Sequence, residues 1–169
     1  ADGHIQPWDA GTSGPLRGSK ASVWEGGMRV PAVVWGPGFL VGDQSVSGIA
    51  TVMDVFPTIA SLVGSEAAPG RPFDGNDILP WLEGGSASPN ELFFYVYPDV
   101  VWGVRDSRWK LLVRRPAPEA DLVAELYDMA SDPYERFDLA AEHPEVVSRL
   151  RAEMEAFAAE SGARLPPAD

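Results

Sequence analysis

Cysteine is missing altogether from the 169 residues, which excludes disulfide staples and thiolate chemistry within this chain without fixing its compartment. Histidine occurs only twice, so a histidine-rich metal site is not on offer. No apolar run approaches the ~20 residues that span a bilayer, and no signal peptide is visible, which says nothing about secretion in a chain that opens on Ala1 rather than Met. Positive charge is scarce too: 13 Lys and Arg stand against 25 Asp and Glu, a net charge of −12. A surface of that sign repels nucleic-acid phosphates, which argues against polynucleotide binding. It also makes any local cationic site stand out, because an acidic protein that handles anionic esters must offset its own field with a metal or a few placed cations.

What is there is organised around Gly14-Pro15-Leu16-Arg17-Gly18-Ser19-Lys20-Ala21-Ser22-Val23-Trp24-Glu25-Gly26-Gly27-Met28-Arg29-Val30-Pro31. This is a small-residue loop with one lysine, a Trp-Glu pair and a double glycine. Pro31 to Trp35 then reads as a short core strand closed by the Gly36-Pro37-Gly38 turn. A lysine at such a place is the candidate anion-binding group, with Gly14 and Gly18 letting backbone approach an anion closely. By itself it would read as a surface lysine with its head in water. Arg17, Glu25 and Arg29 are expected to hold the loop together, Glu25 pairing with Arg29 or Arg17, since a buried carboxylate needs such a partner.

The stretch resembles the lysine segment of the formylglycine-dependent sulfatases, in the alkaline-phosphatase superfamily. Their pattern runs Gly-Pro-Leu-Arg, a Gly-rich pair, Lys, Thr/Ser, an aromatic, Glu-Gly-Gly, a hydrophobe, Arg and Pro; Ser19 stands where glycine is usual. Met53 to Gly64 resembles the family's helix after the strand, and Phe73 to Leu82 its Asp-Gly-x-Asp-Leu-x-Pro-Leu-Leu element. Leu126-Tyr127-Asp128-Met129, Asp132-Pro133, Glu135 and Leu139 match its Leu-Tyr-Asp-Leu…Asp-Pro-x-Glu…Leu element, with Asp138 where Asn is frequent. The likeness runs in order through nearly the whole chain.

The elements follow from local pattern. Val55 to Val63 reads as a helix with Asp54 as N-cap, Pro57 in the first turn, an apolar face of Val55, Ile59 and Leu62, and Gly64 closing it. Leu92–Tyr97, Val100–Arg105, Trp109–Arg114 and Glu125–Asp128 read as strands, with a hairpin at Asp106-Ser107. Pro144 opens a last helix whose stripe is Val147, Leu150, Met154 and Phe157, ended by Gly162.

The expected fold is therefore α/β: residues 1–85 as the carboxy-terminal segment of an alkaline-phosphatase-like sulfatase domain, and 86–169 as a small antiparallel sheet packed by a C-terminal helix. The resemblance implies hydrolysis of a sulfate ester, with Lys20 as the catalytic and substrate-binding residue stabilising charge on the ester oxygens. It implies a formylglycine nucleophile made from Cys or Ser and a divalent, calcium-type metal held by Asp and Asn, all upstream of Ala1, so the chain alone is expected to be inert. Asp2 and His4 offer ligand types, but Asp2-Gly3-His4 has the wrong order for the family's Asp-His-Gly, and two ligand types make no site. No residue is assigned to metal. The implied partners are a sulfate-ester small molecule or glycan and the missing amino-terminal part of the same polypeptide; a periplasmic or secreted location fits the family. Two other readings stay open, a phosphodiesterase or phosphonate hydrolase on the same scaffold and a non-catalytic module.

Overall fold

The computed structural model describes residues 11–65, 70–116 and 119–167. Asp2 and His4 lie outside them. The chain forms two compact units, one of residues up to Pro31 together with Phe94 onward, the other of Ala32–Phe93.

In the first unit four strands follow one another as a meander: β1 (Phe93–Val96), β2 (Val101–Arg105), β3 (Trp109–Arg114) and β4 (Val123–Asp128). The β2–β3 hairpin forms at the expected place because Asp106 Oδ1 accepts the backbone N–H groups of Arg108 (2.8 Å) and Trp109 (2.6 Å), a side chain standing in for a ladder partner. Pairing β2–β3 and β3–β4 is antiparallel, with Arg105 opposite Lys110, Lys110 opposite Tyr127, and Leu112 opposite Glu125. Directly opposed residues share a face, so one face of the sheet carries Arg105, Lys110, Leu112, Glu125 and Tyr127. The other carries Val104, Leu111 and Leu126, all 0% exposed.

A helix, Pro144–Ser161, packs on β2 and β3 and buries Leu150, Met154 and Ala158, while Phe157 stacks on Phe94 at 4.1 Å between ring centroids. It starts at Pro144 and stops at Gly162, as its sequence predicts. The sheet is thus apolar where a helix covers it and ionic on the other side.

The second unit contains a 3₁₀ turn (Val52–Asp54) running into a helix (Val55–Leu62), and a short helix (Leu79–Leu82). Asp54 holds the predicted N-cap position, but its carboxylate does not cap that helix. It accepts instead from Thr51 N (2.6 Å), Asn76 N (2.8 Å) and Asn90 Nδ2 (2.8 Å), tying three segments together. Ile49, Ala60, Ile78 and Trp81 form a small core.

Two expectations are corrected here. Pro31–Trp35 is not a strand: the segment is irregular, Val33 is 94% and Trp35 84% exposed, and no strand pairs with it among the described residues. A buried strand needs neighbours to satisfy its backbone, and none is supplied. The apolar face of the Val55–Leu62 helix is likewise exposed rather than packed, Val55, Phe56 and Ile59 each being more than half accessible. No helix among the described residues is long and apolar enough to cross a membrane.

Candidate functional site

Lys20 sits at the tip of a tight turn. Ser22 N donates to Ser19 O (3.1 Å), which puts Lys20 and Ala21 at the two central positions, and Ala21 takes φ +69°. That left-handed conformation is the one a turn's third residue adopts when it is glycine, and a Cβ there is strained. Lys20 is exposed and makes no hydrogen bond or ion pair among the described residues. Beneath the turn lies a one-turn helix, Glu25–Met28. The double glycine lets the two lie in backbone contact: a Cβ on Gly26 would come within 2.5 Å of Gly18 O, and one on Gly27 within 2.4 Å of Ser22 O. Gly26 N also donates to Arg17 O (2.7 Å).

The loop is fastened to the ionic face of the sheet. Arg17 lies flat over Trp24, its guanidinium carbon 3.6 Å from the ring centroid, and its Nη1 donates to Tyr127 Oη (2.9 Å) and Glu135 O (3.0 Å). Trp24 meets Tyr127 edge-on. Lys110 Nζ donates to Val23 O (2.8 Å) and to Glu25 Oε1 (3.0 Å) and stands 2.7 Å from Glu135 Oε1. Glu135 Oε2 accepts the Glu25 backbone N–H (2.8 Å). On its outer oxygen Glu25 meets Arg29 (2.7 Å) and Arg105 (3.4 Å), and Tyr95 Oη donates to the inner one (3.3 Å). Glu25, Lys110 and Glu135 are all but inaccessible.

The two carboxylates respond in opposite directions. Burial pushes Glu25 up, but Lys110, with Arg29 and Arg105, outweighs it and holds the carboxyl below its ordinary value. For Glu135 burial wins over Lys110, Glu25 adds repulsion, and the carboxyl is raised. Burial and the neighbouring Glu25 charge push the Tyr95 phenol well above its usual range, which keeps it a donor.

The predicted Glu25–Arg29 pair is present, and the Glu25–Arg17 alternative is not, because Arg17 turns to Tyr127 and the Glu135 carbonyl. Sequence reading missed Lys110, Arg105, Tyr95 and the depth of Glu135. A signal existed in part: Lys110 alternates with Leu112 on one strand face, and a lysine at an inward position calls for a carboxylate partner. Beside the loop opens a cleft of about 540 Å³ whose lining includes Ala21, Trp24, Met28, Trp102 and Arg114.

A family model described as Sulfatase matches residues 4–65. The chain is 32% identical to the mouse (Mus musculus) steryl-sulfatase over 94% of its own length and 30% of that relative. It is 34% identical to human (Homo sapiens) arylsulfatase A over 83% of its length and 32% of that protein. The chain thus spans about a third of the relatives it matches. Among solved structures, the PsFucS1 sulfatase from Pseudoalteromonas sp. superposes with a TM-score of 0.72 at 21% identity, covering 86% of this chain and 32% of that one; at that identity the likeness speaks for the fold.

Proposed function

The chain belongs to the sulfatase family, and on that premise we propose that it supplies the anion-binding lysine loop and carboxy-terminal sheet of an enzyme hydrolysing sulfate esters. One observation carries the reading: Lys20 stands exposed, and unpartnered among the described residues, at the tip of a loop whose two ends are tied down by a buried ionic cluster. In a chain of net charge −12, a free ammonium on a fixed support is the place where a sulfate group meets favourable charge.

As the ester's S–O bond breaks, the bonding pair goes with the leaving oxygen, so negative charge grows there beside the charge the non-bridging oxygens already carry. An ammonium already in position stabilises that charge more than the ground state's. The two relatives' names point to a sterol and an aryl leaving group, so the proposal extends to sulfate esters as a class. Among the described residues no three His, Asp or Glu side chains gather as a metal would require. The resemblance alone suggests a calcium-type ion and a formylglycine nucleophile, and both are proposed to lie outside those residues.

The test is Lys20→Ala and Lys20→Arg in the full-length enzyme, with single-turnover rate and unfolding measured on the same preparation. Losing one charge-stabilising group costs about a hundred- to a thousandfold in rate. Lys20→Arg keeps charge but changes reach and geometry, and is expected to fall between. Equal rates per folded molecule for Lys20→Ala and wild type would remove Lys20 from the site.

A further inference from the structure

One residue touches both ends of the loop that carries Lys20. The Glu135 carbonyl accepts from Arg17 at the start of the loop, and its carboxylate accepts from the Glu25 backbone at the end. Lys110, paired with that carboxylate at 2.7 Å, donates to Val23 O two residues before Glu25. Glu135 is 0% exposed and takes φ +56°. A non-glycine residue keeps that conformation only when its surroundings over-determine it, and such strain gathers where geometry serves function. Ala21, next to Lys20, is held in the same region of backbone space.

A buried ion pair is a poor way to gain stability alone, since apolar side chains of equal volume often do as well or better. Apolar contacts would not give directional bonds to two backbone points on one loop. Lys110 and Glu135 give those bonds, to Val23 O and Glu25 N. We propose that Glu135, acting with Lys110, is a positioning residue for Lys20: it clamps both ends of the 17–25 segment to the sheet and so fixes where the ammonium meets the ester oxygens. The proposal rests on the reading of Lys20 as the charge-stabilising group.

The test is a double-mutant cycle on the full-length enzyme. Glu135→Gln retains an acceptor for the Glu25 N–H but removes the charge that holds Lys110. A misplaced catalytic group costs up to about a hundredfold, so kcat per folded molecule is expected to fall about ten- to a hundredfold with KM nearly unchanged. In the Lys20→Ala background Glu135→Gln is expected to cost almost nothing further, because no ammonium remains to be placed. Tyr127→Phe repeats the cycle at the other end: it removes the hydroxyl that accepts from Arg17 and donates to Glu125 Oε2 (2.8 Å), keeps the ring against Trp24, and leaves Glu25, Lys110 and Glu135 with their own partners. Its expected loss is smaller, about three- to tenfold, and again absent without Lys20; this cycle decides the matter if Glu135→Gln does not fold. Unchanged kcat in folded Glu135→Gln, or the same fractional loss with and without Lys20, overturns the clamp while the role of Lys20 stands. No loss in Lys20→Ala overturns both.

Discussion

Replacing Lys110 by Met keeps most of the side chain's bulk and removes one buried positive charge. The consequences can be worked from the neighbours. Glu25 would retain Arg29 and Arg105 on its outer oxygen, whereas Glu135 would lose the cation 2.7 Å away and keep only the Glu25 N–H. Breaking a buried pair by deleting one partner costs about 3–5 kcal/mol, because the other charge is left uncompensated. The cost should depend on pH, and the sign is fixed by which state holds protons more tightly. Glu135 is already raised by burial against the pull of Lys110, and losing Lys110 raises it further. Its ionisation penalty is present above its folded pKa and relieved as pH falls below it. Glu25 works the other way in the wild type. Held low, it contributes stability above its unfolded value, and that contribution is lost as pH falls through its folded pKa. Between pH 8 and 5 acidification relieves Glu135 in both proteins, and more in the variant, where it is raised further, so the two stabilities converge; the Glu25 contribution is lost only at lower pH, because that carboxyl is held below its ordinary value. Urea unfolding at several pH values between 8 and 5, followed by tryptophan fluorescence, measures the gap. Adding Glu135→Gln to Lys110→Met should recover most of the loss at neutral pH. A gap under about 1 kcal/mol, or one that does not change with pH, would refute the reasoning.

Two further outcomes follow from the second unit. Asp54→Ala strands three donors, Thr51 N, Asn76 N and Asn90 Nδ2, around a carboxylate that is 0% exposed; at roughly 1–3 kcal/mol for each unsatisfied group, a loss of about 3 kcal/mol or more is expected by urea titration, and a loss within 1 kcal/mol would mean water replaces the carboxylate freely. The exposed Val33, Trp35, Val52 and Phe56 should make the isolated chain bind a hydrophobic dye and self-associate, and a dye-free monomer at high concentration, by light scattering, would contradict this.

Local pattern carried the strands, the hairpin and the last helix because each is written in its own residues: aromatic and β-branched content in the strands, Asp106 at the turn, Pro144 and Gly162 at the helix ends. It failed at Pro31–Trp35 because an apolar run records the capacity to pair and says nothing about whether a partner strand is supplied. Asp54 shows the same limit: its N-cap position was legible, while the 22- and 36-residue reaches to Asn76 and Asn90 were not. For the site, the role of Lys20 is a proposal, while the i,i+4 pair of Glu25 with Arg29 was legible as one of two alternatives. Lys110 was not, because what makes it central is a loop 85 residues away in sequence and Glu135 beyond the end of β4. Burial on both faces of a sheet cannot be read from one strand.

The double glycine Gly26-Gly27 turns backbone thickness into a ruler. With hydrogen as the only substituent, the one-turn helix and the turn above it stack at bare main-chain separation, so the spacing between those two is set by backbone alone, while the side chains of Glu135 and Lys110 tie the loop to the sheet. A methyl group on either glycine would act as a shim, lifting the whole turn by the width of the new atom. In this architecture the vertical coordinate of a charge is set by what has been left out.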